Sequence, residues 1–175
     1  MKNIFFLFVL LIFTNVFSQS SNNSVTLNTG IFLPNTDLGL YNVGWNLGAE
    51  YQNYSKPWAF FTELNINESK RKEYKEYPEL TRETKTFIEL TAGPRYIFNI
   101  KNVQPFIDIG AGLYNVHYSR NDVHFGISTG IGTFININKE FDIIIKAKYH
   151  PHIVFGDGAG IVDYFGIYAG IKYNF

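Results

Sequence analysis

From Val25 to Phe175 the chain alternates. Apolar and polar or glycine residues change places at almost every step, and Gly, Asn, Asp and Pro punctuate the blocks. In Tyr41–Gln52 every odd residue is apolar or aromatic and every even one is Gly, Asn, Gln or Glu. The last block puts Phe165, Ile167, Ala169, Ile171, Tyr173 and Phe175 on one face, with Gly166, Tyr168, Gly170, Lys172 and Asn174 on the other. A period of two places successive side chains on opposite sides of a strand. Eight such blocks, near 24–33, 40–52, 57–67, 84–98, 104–118, 123–136, 140–152 and 163–175, predict an all-β chain. The even number brings the last strand beside the first.

The face that is not apolar carries few of the lysines and glutamates that a soluble sheet shows to water. It is loaded instead with glycine, at 44, 48, 93, 110, 112, 126, 130, 132, 166 and 170. Glycine packs nothing and weakens an exposed strand, so its recurrence on one face predicts a narrow, crowded interior. The apolar face is then the outside, and an outside of Leu, Ile, Val, Phe and Trp is tolerated only in lipid. A membrane strand needs about 9 to 11 residues, so eight strands take roughly 80 residues and the rest supply turns and loops. Connections near 52–57, 99–104 and 136–140 are short. Those at 67–84 and 153–163 are long, with 34–39 and 119–122 on the same side, the asymmetry expected of an eight-stranded antiparallel up-and-down transmembrane β-barrel.

Export is predicted at the N-terminus. Lys2, the ten apolar residues Ile4–Phe13 and the small-residue positions Val16 and Ser18 form a secretory signal peptide over 1–18, cut before Gln19. That leaves 19–175 as one outer-membrane β-barrel domain. The chain has 15 basic and 15 acidic residues and no cysteine. A neutral exported chain makes no nucleic-acid binder, and disulfides and thiolate metal sites are excluded. Between Glu68 and Glu83 ten of sixteen residues are ionised, both signs interspersed, which reads as a solvated external loop.

Glu89–Phe98, the following Gln104–Gly112 block and the terminal Tyr173-Asn174-Phe175 resemble small eight-stranded outer-membrane barrels of the OmpX and OmpA-transmembrane-domain kind. The resemblance implies the same fold and location in the outer membrane of a Gram-negative cell. It also implies the barrel-assembly machinery as a partner through the terminal aromatic Phe175. His117-Tyr118-Ser119 is similar to the His-x-Ser of barrel lipases that trim lipid A. Here Arg120-Asn121-Asp122 replaces the small-residue continuation, and Glu140 falls at the opposite end of the barrel, so no enzyme and no cofactor are expected.

Face assignment sends Glu50, Glu63, Lys85, Glu89, Arg95, Asp108, Asp142, Lys146, Lys148 and Lys172 into the lumen as a charge network. An eight-stranded barrel has room only for side chains inside, so these charges must pair. A two-residue turn at Lys101-Asn102 sets Arg95 opposite Asp108, beside a facing Gly93 and Gly110. The network reads either as a gated polar pore or as a plug of salt bridges. Trp45, Trp58, Tyr41, Tyr51, Phe98, Tyr149, Tyr173 and Phe175 form an aromatic girdle at the membrane boundaries.

All four histidines fall toward the external rim. A tight turn centred on Asn138 puts His124 opposite His152, with His150 two residues away. Such a group is a candidate Zn, Cu or Ni site to which Asp122, Asp157 or Asp163 adds an oxygen; the alternative is ordinary rim histidines. The sequence thus predicts a monomeric, non-enzymatic barrel in outer-membrane lipid that displays loop 68–83 to an extracellular partner. The rivals are transport, as a narrow porin-like channel or a lateral route for apolar solutes, and a soluble periplasmic barrel.

Overall fold

A computed structural model describes residues 23–34, 42–70, 84–117, 121–153 and 161–175. The signal segment and most of loop 68–83 lie outside the described residues, as do Tyr41, Ser119 and Asp157. Eight strands follow in order: β1 (Asn23–Pro34), β2 (Gly44–Ser55), β3 (Trp58–Lys70), β4 (Thr84–Ile97), β5 (Val103–His117), β6 (Asn121–Asn136), β7 (Phe141–Ile153) and β8 (Ile161–Asn174). Each pairs antiparallel with the next, and β1 pairs with β8, with Thr29 opposite Ala169, so the sheet closes into a barrel. Closure leaves no open sheet edge.

The two faces separate as the alternation requires. Leu27 is 65% exposed and Ile131 64%, whereas Phe32 and Arg95 are both 0% exposed. In β3, Phe60, Leu64 and Ile66 point out while Phe61, Glu63, Asn65 and Asn67 are buried. The apolar residues thus clothe the outside. The aromatic pair Trp58–Tyr96, with ring centroids 5.0 Å apart, continues to Phe98, also at 5.0 Å, near the end of the barrel where the short turns lie. We call this the turn end and the opposite one the loop end.

The interior is more aromatic than a cramped tube of glycine and ions suggests. Phe32, Phe61, Phe106, Phe134, Tyr114, Tyr164 and Tyr168 are all fully buried. The register explains how they fit. Gly44 and Gly166 flank Phe32, Gly93 stands opposite Phe61, Gly132 opposite Phe106 and Gly30 opposite Tyr168. A Cβ at Gly132 would lie 2.4 Å from Phe106 Cζ, and one at Gly166 would lie 1.9 Å from the Tyr168 hydroxyl. The glycines are the recesses into which the rings lie, the pairing by which an aromatic covers a bare stretch of backbone on the neighbouring strand.

Three tight connections fix the register. Lys56-Pro57, a cis peptide, joins β2 to β3, and Lys101-Asn102 joins β4 to β5, with Lys101 at φ 47° in the left-handed region. The resulting register sets Arg95 opposite Asp108. Between β6 and β7 the turn is longer than the sequence suggested. Asn138 Oδ1 accepts the backbone N–H groups of Glu140 and Phe141 at 2.9 and 2.8 Å. This side-chain cap holds a four-residue connection at 137–140 and pairs Asn136 with Asp142.

Candidate functional site: the charged lumen

The middle of the lumen is filled by six ions in alternation: Asp108, Arg95, Glu50, Lys146, Glu63 and Lys148. Arg95 reaches from β4 across to β2, where Nη1 donates to Glu50 Oε1 at 2.6 Å and Nη2 to Oε2 at 3.0 Å. Its other edge holds Asp108 Oδ2, at 3.1 Å from Nε and 2.7 Å from Nη2. Gln52 Oε1 accepts a further bond from Nη1 at 2.5 Å. Lys146 bridges Glu50 and Glu63 at 2.8 and 2.6 Å, and Lys148 closes on Glu63 at 2.6 Å.

All six residues are buried. A lone ion there would be costly, but each group has an opposite charge on at least one side, and three acids balance three bases. Aromatic faces complete the cage. The Arg95 guanidinium carbon lies 4.1 Å from the Phe106 ring centroid and 4.9 Å from that of Phe61, while Lys148 Nζ lies 4.4 Å from Phe61.

Toward the turn end an apolar floor of Ala59, Ile97, Phe106, Phe134 and Ile144 follows, with Phe106 and Phe134 stacked at 4.7 Å. Beneath it Lys172 pairs with Asp142 at 2.5 Å, donates to the Tyr54 hydroxyl and sits 3.8 Å from the Phe134 centroid. Asn136 and Asn174 donate to the same Asp142 at 3.0 and 3.1 Å. A cavity of about 210 Å³ opens at this end, walled by Tyr54, Lys56, Lys139, Asp142, Lys172 and amide side chains. None of the six alternating ions lines it.

Toward the loop end the chemistry changes. Glu89 accepts from Asn65 Nδ2 at 2.6 Å and from the Tyr164 hydroxyl, and His150 Nδ1 lies 3.4 Å from it. The imidazole stacks on Tyr164, with centroids 4.4 Å apart and planes 7° apart. The Tyr114 and Tyr168 hydroxyls stand 3.3 and 3.5 Å from its two nitrogens.

Nine of the ten luminal charges named from sequence therefore have described side chains, and those nine are buried inside the barrel. Lys85 lies in β4 opposite Ser69, with its side chain outside the described residues. Two features escaped the sequence: the reach of Arg95 to a strand that is not its neighbour, and the enclosure of His150 by tyrosines. The second could have been suspected from inward tyrosines at 114, 164 and 168, once the register was known.

The histidine register is corrected. Gly126, not His124, stands opposite His152, because the longer turn at 137–140 slips β7 by two residues. His124 instead stands opposite Tyr114 on the other flank of β6 and is half-buried, whereas His150 is 0% exposed among its aromatic partners. The candidate metal trio of His124, His150 and His152 loses the facing pair on which it was built. Among the described residues no three His, Asp or Glu side chains converge as a metal site. His117 ends β5, but its side chain, like that of His152, is outside the described residues, and Ser119 is wholly so.

No family model matches this sequence, and no curated protein does. Solved structures do. Neisserial surface protein A superposes with a TM-score of 0.70 at 14% identity, over 89% of this chain and 98% of that one. Ail, the attachment invasion locus protein of Yersinia pestis, gives 0.56 at 15% identity, over 90% and 100%. Outer membrane protein AlkL, solved in lipid bilayers, gives 0.55 at 14% identity, over 88% and 90%. At such identities the likeness is one of fold: this chain resembles the small eight-stranded outer-membrane barrels, of which the matched chains are nearly whole copies in length.

Proposed function

We propose that this barrel, folded like the small outer-membrane barrels, is itself an integral outer-membrane protein. Its work is structural and interactive rather than catalytic, with loop 68–83 displayed at the cell surface. The loop end faces outward on this reading, and the turn end faces the periplasm. The lipid of the outer membrane covers the belt of Leu, Ile and Phe, and the terminal Phe175 serves as the signal for barrel assembly.

The observation that carries the reading is the alternating chain from Asp108 to Lys148. Ions that neutralise one another across the lumen, over an apolar floor of Phe106 and Phe134, occupy the space that a conducting pore needs for water. The outward apolar belt argues in the same direction against the soluble periplasmic barrel, since exposure of this extent in water invites association. Fold alone does not distinguish an anchor from a channel.

The test is a planar-bilayer recording of the refolded protein, after a gel has shown that unboiled and boiled samples migrate differently. The expected result is heat-modifiable mobility without unitary currents. Reproducible single-channel steps would replace this reading with the narrow pore.

A further inference from the structure

The described luminal charges do not cancel. Glu50, Glu63, Asp108 and Asp142 are matched by Arg95, Lys146, Lys148 and Lys172, every acid with a base at 2.8 Å or closer. The fifth acid, Glu89, is 1% exposed, and no described lysine or arginine lies within ion-pair distance of it. Its hydrogen-bond partners are the Asn65 amide and the Tyr164 hydroxyl, both neutral, and His150 Nδ1 lies 3.4 Å away. A buried carboxyl group in that setting needs either a proton of its own or a positive charge nearby.

The wall beside Glu89 is lined with amide side chains. Asn28, Gly48, Asn65 and Glu89 stand opposite one another in one row across β1, β2, β3 and β4. Asn65 spends its amide N–H₂ on Glu89, which turns its Oδ1 away along the row. No donor reaches Asn65 Oδ1, Asn28 Oδ1 or, one step further up, Asn46 Oδ1, and Asn28 Nδ2 is likewise without a partner. These three residues are at most 2% exposed.

Gly48 brings two of these oxygens together. The position of a Cβ there lies 1.9 Å from Asn65 Oδ1 and 2.7 Å from Asn28 Oδ1. The oxygens thus lie no further apart than the sum of those distances. Two buried lone-pair acceptors facing each other without a donor are unfavourable unless something positive joins them. The hydrogen bond from Asn65 to the carboxylate polarises the amide and makes its oxygen a stronger donor of electron density.

We infer that the loop half of the lumen binds one monovalent alkali cation, Na⁺ or K⁺, between the side-chain oxygens of Asn28 and Asn65, with Glu89 as its countercharge. The donor set is oxygen only, which suits hard cations. Among the described residues one carboxylate lacks a lysine or arginine partner, which accounts for a single positive charge, and a divalent ion would leave an excess. The inference rests on the sealed lumen of the preceding reading, because in a water-filled pore the amides would simply be hydrated. Three arrangements compete with it, the simplest being a proton on Glu89 itself, which removes the charge. A proton on His150, whose Nδ1 lies 3.4 Å from Glu89, would supply the charge, and an Asn28 amide turned end for end would offer its N–H₂ to Asn65.

The test uses the full barrel refolded in micelles and unfolded with urea in NaCl, in KCl and in N-methylglucamine chloride at matched ionic strength, with ²³Na line widths recorded in parallel. The expected result is a midpoint that rises saturably with Na⁺ or K⁺ and not with the bulky organic cation, together with a broadened sodium resonance. Glu89→Gln and Asn28→Leu should each abolish both responses; if Glu89→Gln does not fold, Asn28→Leu carries the comparison. Equal midpoints in the three salts, the result expected of a proton on Glu89 or His150 or of a turned Asn28 amide, overturn the site, as does a cation response that survives in the folded variants. Bilayer recording reports separately on the sealed lumen, so the two failures are distinguishable.

Discussion

Arg95 on β4 and Glu50 on β2 meet as a two-pronged ion pair across the lumen, at 2.6 and 3.0 Å, although their strands are separated by β3. Two parallel N–H···O bonds fix the guanidinium plane, and Asp108 holds its remaining edge. The side chain therefore ties three strands at one level of the barrel, and its loss leaves Asp108 without an ion-pair partner and Glu50 with Lys146 alone.

Arg95→Met is expected to lower the stability of the refolded barrel by about 3 to 5 kcal/mol, the range for breaking a buried pair from one side. Urea unfolding followed by gel mobility reads it. Adding Glu50→Gln to the same chain should recover part of the loss, because it removes the excess negative charge left when three acids face only two bases. A double variant no more stable than Arg95→Met alone would count against the pairing.

Asp108→Ala is expected to do less, since Arg95 keeps Glu50 and Gln52. A loss of about 1 to 3 kcal/mol is the range for a buried partner left unsatisfied. The lumen should stay closed, with no unitary current in a planar bilayer. Unchanged stability would mean that the Arg95–Asp108 contact contributes nothing to the plug.

Gly132→Ala adds a methyl group 2.4 Å from Phe106 Cζ and 2.7 Å from the Ile145 carbonyl oxygen. Overpacking of this kind costs about 1 to 3 kcal/mol. Shortening the ring in Gly132→Ala/Phe106→Leu should relieve part of it. Equal costs for Ala at 132 and at an outward position would show that the recess is not filled by the ring.

Ile109, 52% exposed near the middle of β5, separates a lipid-facing surface from a wet one. Ile109→Arg should destabilise the barrel folded in lipid by about 2 to 4 kcal/mol, as for arginine at the midplane of other barrels. In a soluble barrel the same change would be nearly neutral, so the urea midpoint in vesicles decides between them.

How much of the barrel is legible in the amino-acid sequence depends on locality. The outward belt follows from alternation alone, and the Arg95–Asp108 register follows from a hairpin whose two-residue turn is visible at Lys101-Asn102. The β6–β7 hairpin misleads because Asn138 caps two backbone N–H groups and lengthens its turn, which displaces His124 from His152. A change of one residue in the centre of a turn moves the pairing by two. Contacts across the tube, such as Arg95 with Glu50, leave no periodic trace, since neither neighbour in sequence nor neighbour in the sheet predicts them. The buried rings are hidden for a related reason: Phe106 and Gly132 explain one another only after their strands are aligned.

The ionic chain also bears on how the cylinder comes together. A β4–β5 hairpin on its own offers Arg95 a single carboxylate, and Lys146 on β7 finds Glu50 and Glu63 only when distant parts of the polypeptide have curled round to meet it. A half-rolled ribbon would hold ions without their partners, a penalty that vanishes only on completion. Partly built forms are thereby disfavoured, which favours closure as a single event in which the last seam is drawn shut by charges supplied from the far wall.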